Sequence, residues 1–159
     1  ARLPKATLEV LVPDFGGREV DLQTVLDARP EVLAHNLETC ERLTPQIRSR
    51  AQYRRSLEVL AAARRRASEV SVKTGLMLGL GETDEELVQA MQDARAAGVD
   101  VLTLGQYLRP SSWNAPVARY VSPERFVELG ELARSMGFAH VESGPLVRSS
   151  YHAERALHP

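Results

Sequence analysis

VSVKTGLMLGLGETDEELVQAMQDARAAG (Val70–Gly98) is the stretch that decides the fold. It opens on an apolar, β-branched run of strand length, Val70–Leu78, and then turns through Gly79 and Gly81. Thr83 and Glu86 stand at capping-box spacing ahead of Leu87, Val88, Met91 and Ala94, which fall on one face of a helix. Gly98 is the stop signal, and the next apolar run, Val99–Leu104, begins at once. Strand, glycine turn, capped helix and strand make the βαβ unit of a parallel sheet.

The same alternation runs outward in both directions. Leu8–Val12, Val32–Ala34 and Phe138–Val141 complete five predicted strands. Ser122 caps a helix with Pro123 at its first position, its apolar face carries Phe126, Leu129, Ala133 and Met136, and Gly137 ends it. A further helix is expected from about Tyr53 to Ala67, with Leu57, Leu60 and Ala61 inward and Arg64-Arg65-Arg66 as a solvated last turn. The fold class is therefore α/β, with parallel strands and outer helices. Five strands do not close an eight-stranded barrel, and an open parallel edge is exposed, so the expectation is part of a barrel whose first strands are absent. The opening Ala1-Arg2-Leu3-Pro4, which enters an apolar strand within a few residues, reads as a cut through a larger protein.

Composition narrows the function. The 159 residues are 43% hydrophobic and 26% charged, with a formal net charge of −1, so nothing global favours nucleic acid or an anionic membrane. No apolar run reaches the roughly 18 residues of a membrane-span candidate, and the expected location is cytoplasmic. The single cysteine, Cys40, excludes an internal disulfide and an all-protein cysteine cluster site, and reads as a small buried or half-buried thiol.

The two ends of the predicted strands differ in chemistry. The strand C-termini lead into Pro13-Asp14-Phe15-Gly16-Gly17, His35-Asn36-Leu37-Glu38-Thr39, Gly79-Leu80-Gly81-Glu82-Thr83, Gly105-Gln106-Tyr107-Leu108-Arg109-Pro110 and Ser143-Gly144-Pro145-Leu146-Val147-Arg148. The helix-to-strand turns carry only stop signals. In a parallel sheet all strand C-termini share one edge, so the chemistry is expected there.

Read as strand, His35–Thr39 places Asn36 and Glu38 on one side, offering an amide and a carboxylate to a pair of hydroxyls such as those of a ribose. Polar residues that cap the next helix explain the same spacing equally well. The glycines of Gly75–Glu82 let a ligand lie close to the backbone. Glu82 repels phosphate and no GK[ST] sequence comes after it, so a flat, mostly neutral group such as adenine fits better, although glycines needed only for the turn also satisfy the pattern. The segment from Gln106 to about Val121 is a long loop, of the kind that is usually functional or mobile; Arg109, Trp113 and Arg119 face a substrate or are ordinary surface residues. In Gly144–His152 the serines and His152 suggest a hydrolase, but no G-x-S-x-G elbow accompanies them, and a turn with serine hydroxyls bonding backbone accounts for the same residues.

Together these motifs resemble the lipoyl synthases of the radical SAM superfamily. Leu11–Phe15, His35–Thr39, Lys73–Met77 through Gly79–Glu82, Leu102–Leu108 and Gly144–His152 occur in that family's order and span nearly the whole chain. The resemblance implies the C-terminal part of a partial (β/α)6 TIM-type barrel over residues 1–143, with a C-terminal segment 144–159 that carries a cluster-ligand motif. It implies insertion of two sulfur atoms at C6 and C8 of a protein-bound octanoyl-lysine. One [4Fe–4S] cluster cleaves S-adenosylmethionine to the 5′-deoxyadenosyl radical, and a second is consumed as sulfur donor. Asn36 and Glu38 match ribose contacts, as at the similar motif of biotin synthases, and Ser56 is matched to the methionine carboxylate. Gly75, Met77, Gly79 and Glu82 match the G-x-I-x-G-x-x-E pattern beside adenine, with Met77 in place of Ile, and Gln106, Tyr107 and Leu108 supply backbone near the base. Ser150, rather than Ser149, is implied as the ligand of one auxiliary-cluster iron, a hard oxygen that releases iron more readily than thiolate.

The departure from the family lies in the cysteines. Its C-x3-C-x2-C and C-x4-C-x5-C motifs are absent, so this chain by itself is expected to be inactive and to be complemented by a cysteine-bearing N-terminal half. Implied partners are an octanoylated lipoyl-carrier domain, an electron donor and iron–sulfur carrier proteins, with neither nucleic acid nor membrane. A non-catalytic remnant or binding module of the same fold, and more distantly a non-redox nucleotide-binding α/β enzyme, are the competing readings.

Overall fold

The computed structural model describes residues 6–150. Five strands, β1 (Glu9–Leu11), β2 (Val32–Ala34), β3 (Ser71–Leu78), β4 (Val101–Gln106) and β5 (His140–Gly144), form one sheet in sequence order, every pair parallel. Between them run α1 (Glu19–Asp27), the one-turn α2 (Thr44–Ile47), α3 (Tyr53–Arg66), α4 (Asp84–Ala96) and α5 (Pro123–Ser135), with a 3-10 turn at Phe15–Gly17. Sequential order with helical crossovers is the topology of a barrel wall that winds in one direction.

The helices begin where their caps place them. The Thr83 hydroxyl accepts from Glu86 N at 3.2 Å and the Glu86 carboxylate accepts from Thr83 N at 2.9 Å, so α4 starts with both bonds of the capping box made. Ser122 caps α5 through Arg125 N at 3.2 Å. The run Val99–Leu104 starts as strand two residues later than the apolar pattern predicts. Val99 N bonds Ala94 O and Gly98 N bonds Arg95 O, so Val99 is spent closing the end of α4 before the ladder begins at Val101.

Alternation along the strands separates two faces. Leu33, Val72, Leu76, Leu78, Leu102, Leu104 and Val141 pack with Leu22 and Leu26 of α1, Leu60 and Ala63 of α3, Leu87 and Met91 of α4, and Phe126 and Leu129 of α5 into the main core. Each leucine buried there contributes about 1.5–3 kcal/mol. The expected inward face of α3 is rotated: Ala61 and Leu57 are only half-buried, while Ser56, Val59, Ala62 and Ala63 join Leu60 inside. Arg64 is not a solvated end either. It donates to Ser68 O at 2.8 Å and Gly98 O at 3.2 Å and pairs with Asp100, tying α3 to the entrance of β4.

The second face of the sheet is polar for a barrel interior. Lys73, 1% exposed, donates to both oxygens of Glu9 at 2.9 and 3.0 Å, and His140 meets Glu142 at 3.1 Å. Above Lys73 on β3 come Gly75 and Met77, and beside them on β4 Thr103 and Gly105. Small side chains in this upper layer leave room at the strand C-termini. Among the described residues no helix is long and apolar enough to cross a membrane.

Candidate functional site

A cavity of about 550 Å³ opens in that room, at the edge where the strand C-terminal ends converge. Its walls come from five places: the turn after β2, α2 with Arg48 at its end, the ends of β3 and β4, the loop after β4, and the residues after β5.

The turn after β2 is built differently from the alternating strand that its spacing suggests. Hydrogen bonding to the next strand lapses after His35, and Glu38 adopts a left-handed backbone conformation, φ 68°. Three side chains hold the turn. Thr74 donates to His35 O at 2.8 Å and accepts from Leu37 N at 3.1 Å. His35, 1% exposed, bonds Val12 O through Nδ1 at 2.8 Å; burial pushes its imidazole pKa down and keeps the ring neutral. Arg48 reaches back from the end of α2 to donate to Asn36 O at 2.8 Å and Leu37 O at 3.3 Å. Glu38 then rejoins β3, with Glu38 N on Gly75 O and Met77 N on Glu38 O.

This geometry still brings Asn36 and Glu38 together, through a turn rather than through strand alternation. The Asn36 amide donates to Glu38 Oε1 at 3.2 Å. Asn36 Oδ1 remains buried with no hydrogen-bond partner among the described residues. A buried acceptor left without a donor in this way costs about 1–3 kcal/mol. Gly75 lies directly opposite: a Cβ there would stand 2.7 Å from Thr103 Oγ1 and 3.2 Å from Asn36 Oδ1. The bare backbone of β3 is therefore a requirement of this wall.

The remaining expected residues divide into two groups. Met77, Gln106, Tyr107 and Leu108 line the cavity with Asn36, Glu38 and Gly75. Gly79 and Glu82 do not. Gly79 sits at φ 94°, where a Cβ would meet Arg119 O at 2.3 Å, and the buried Glu82 carboxylate accepts from Gly79 N at 2.7 Å and Leu80 N at 2.9 Å. Together they fix the turn that positions the wall. Ser56 is fully buried on α3 and contributes nothing to the lining. Ser149 is on the wall, Ser150 is exposed outside it, and Tyr151 and His152 lie outside the described residues.

Arg48 and Thr103, also on the wall, are not among the site residues expected from the sequence. Arg48 both clamps the turn and lines the cavity, and Thr103 forms its floor. The available signal for Arg48 was a cation ten residues past Glu38 on the loaded edge, which has no recognisable spacing. Cys40 is buried and free, and burial pushes its thiol pKa up, the setting of an inert cysteine. Among the described residues no group of three His, Cys, Asp or Glu is placed to hold a metal ion.

Comparison with known proteins converges on one family. The model of the radical SAM superfamily matches residues 2–94. A lipoyl synthase of Geobacillus thermodenitrificans is 51% identical over 154 residues, covering 97% of this chain and 52% of that protein. Those of Bacillus cytotoxicus and Halalkalibacterium halodurans are 52% and 49% identical, each again with 52% of its length covered. The chain spans about half the length of the curated relatives it matches.

Proposed function

The chain belongs to the radical SAM superfamily, and from that premise we propose that it is the C-terminal half of a lipoyl synthase, carrying the adenosyl side of the cofactor pocket. The observation that carries the reading is the stranded Asn36 Oδ1 beside the Glu38 carboxylate, above the bare backbone of Gly75. A vicinal diol offers one hydroxyl donor to Asn36 and another to the Glu38 carboxylate, and the adenosine of S-adenosylmethionine presents such a diol next to a flat base.

The roles are those the resemblance implies, and the cavity lining supports them. Asn36 and Glu38 hold the ribose hydroxyls. Gly75, Met77 and the main chain of Gln106, Tyr107 and Leu108 flank adenine, with Gly79 and Glu82 fixing the turn behind them. Arg48, whose carbonyl bonds use only Nη1, turns the rest of its guanidinium to the methionine carboxylate, a task the resemblance alone gives to Ser56. The bound cofactor and its cluster supply a hydrogen-abstracting radical; the part of this chain is to orient the adenosyl group and exclude water. Ser150 ligates one iron of an auxiliary cluster whose cysteines, like those of the first cluster, come from the other half of the enzyme. The substrate is an octanoylated lipoyl-carrier domain, served by an electron donor and iron–sulfur carrier proteins.

The test joins this chain to a cysteine-bearing N-terminal half, loads iron and sulfide anaerobically, and follows conversion of octanoyl-lysine to lipoyl-lysine by mass spectrometry. Product is expected from the wild type, with Asn36→Ala raising the dissociation constant for S-adenosylmethionine at least tenfold. Ser150→Ala should alter the auxiliary-cluster spectrum and Ser149→Ala should not. A cluster-loaded wild type that binds S-adenosylmethionine yet makes no lipoyl product rejects the reading.

A further inference from the structure

Trp113, the single tryptophan of the chain, is 95% exposed at the mouth of the cavity. Its loop is not slack. At the base, Gln106 Nε2 meets Leu78 O, Tyr107 O and Arg119 O at 3.0–3.1 Å, and Gln106 Oε1 accepts from Val121 N at 2.9 Å, so one buried side chain staples both ends. Tyr107 donates its hydroxyl to Ala115 O at 2.8 Å and Ser111 bonds Asn114 at 2.7 Å. The indole is thus displayed on a braced support. Leu108, 46% exposed, stands on the same loop, and Leu146, 76% exposed, on the segment after β5.

Arginines stand on the loop itself and on the segments that border the same cavity. Arg48, Arg109 and Arg148 each spend their hydrogen bonds on neutral main-chain carbonyls, of Asn36, Asn114 and Val147 respectively. Arg119 and Arg125, by contrast, are ion-paired to Asp84. Arg109 and Arg148, without an ion pair among the described residues, and an exposed indole, held rigid beforehand, are the ingredients of an interface hot spot, because Trp and Arg dominate such sites and a preformed loop loses little entropy on binding.

We propose that the tip of the loop after β4 docks the acylated carrier protein, with Trp113 as apolar anchor and Arg109 and Arg148 steering an acidic surface around the modified lysine. The occupant is set by position and charge: a side chain entering the cavity passes this tip, and the protein that bears it meets a cationic rim. The inference rests on the lipoyl synthase reading and adds the surface by which its substrate is recognised.

The experiment uses the cluster-loaded holoenzyme and an octanoylated lipoyl-carrier domain without reductant, with affinity followed by calorimetric titration. Trp113→Ala should weaken carrier binding at least tenfold, and Arg109→Gln should weaken it several-fold and flatten its dependence on salt. Affinity for S-adenosylmethionine should stay within twofold in both. Wild-type carrier affinity in both variants overturns the docking surface while leaving the proposed function intact. Trp113→Ala that lowers the melting temperature of the holoenzyme without changing carrier affinity also overturns it, since the indole then packs on the other half of the enzyme. A wild type that binds S-adenosylmethionine but no carrier at any salt concentration instead defeats the lipoyl synthase reading itself.

Discussion

Replacing Gln106 by Leu tests whether the cavity wall is held by that one amide. Gln106 is 4% exposed, and its NH2 group divides two protons among three carbonyl oxygens while its own oxygen takes the Val121 N–H. Leu78 O keeps a second partner in Tyr107 N at 2.8 Å, so the substitution strands chiefly Tyr107 O, Arg119 O and Val121 N. At about 1 kcal/mol net per bond, and about 1–3 kcal/mol for a buried group left unpaired, the loss is about 2–4 kcal/mol. The loop is at the surface, so its stranded groups regain water by detaching, and the damage stays local. Trypsin reads this directly at Arg119, which lies in the loop ahead of Tyr120, whereas Pro110 protects the bond after Arg109. A loss of about 2 kcal/mol raises the open population, and with it the rate of cleavage after Arg119, by about 30-fold. The midpoint of global denaturation should move much less, and affinity for S-adenosylmethionine should fall as Tyr107 and Leu108 lose their positions. Unchanged cleavage after Arg119 together with unchanged cofactor affinity would refute the staple.

Two further outcomes rest on the same geometry. Gly75→Ala places a methyl 2.7 Å from Thr103 Oγ1 and 3.2 Å from Asn36 Oδ1; it should keep the fold at a cost of about 1–3 kcal/mol and weaken S-adenosylmethionine binding at least tenfold, with Thr103→Ala restoring part of the loss. Equal affinity in Gly75→Ala and wild type would show that the cofactor does not lie on this strand. The second outcome concerns pH. Burial holds the His35 pKa below its ordinary 6.5, so the unfolded chain binds a proton that the folded chain refuses. Its contribution is complete above 6.5 and is lost as pH falls from there toward the folded value. Urea unfolding at pH 7.5 and 5.5 should show a larger drop in wild type than in His35→Asn, and equal drops would mean that the ring is not buried neutral.

Which parts of this molecule were legible beforehand depends on the range of the interactions involved. The capping box of Thr83 and Glu86, the stop at Gly98, the Ser122-Pro123 start and the five apolar runs are local, and local chemistry is written in consecutive residues; the parallel sheet and its loaded edge are their consequence. Likewise Asn36, Glu38 and Gly75 stand out from short spacings, and Met77 through the resemblance to the family's glycine motif. The tertiary structure decided how they meet. Arg48 and Thr74, 12 and 38 residues from Asn36, bend the turn that carries it, which no periodicity reveals. Only packing separated Gly79 and Glu82, which brace a turn, from Gly75, which bares a wall, although one motif contains all three. The sequence by itself determined the parallel strands, their helices and the edge where the polar loops gather, because hydrophobic period and caps act within a few residues, while the family was legible only through the resemblance of its motifs. The orphaned acceptor of Asn36, the braced display of Trp113 and the burial of Ser56 were decided in three dimensions, because each depends on which distant groups do or do not arrive as hydrogen-bond partners.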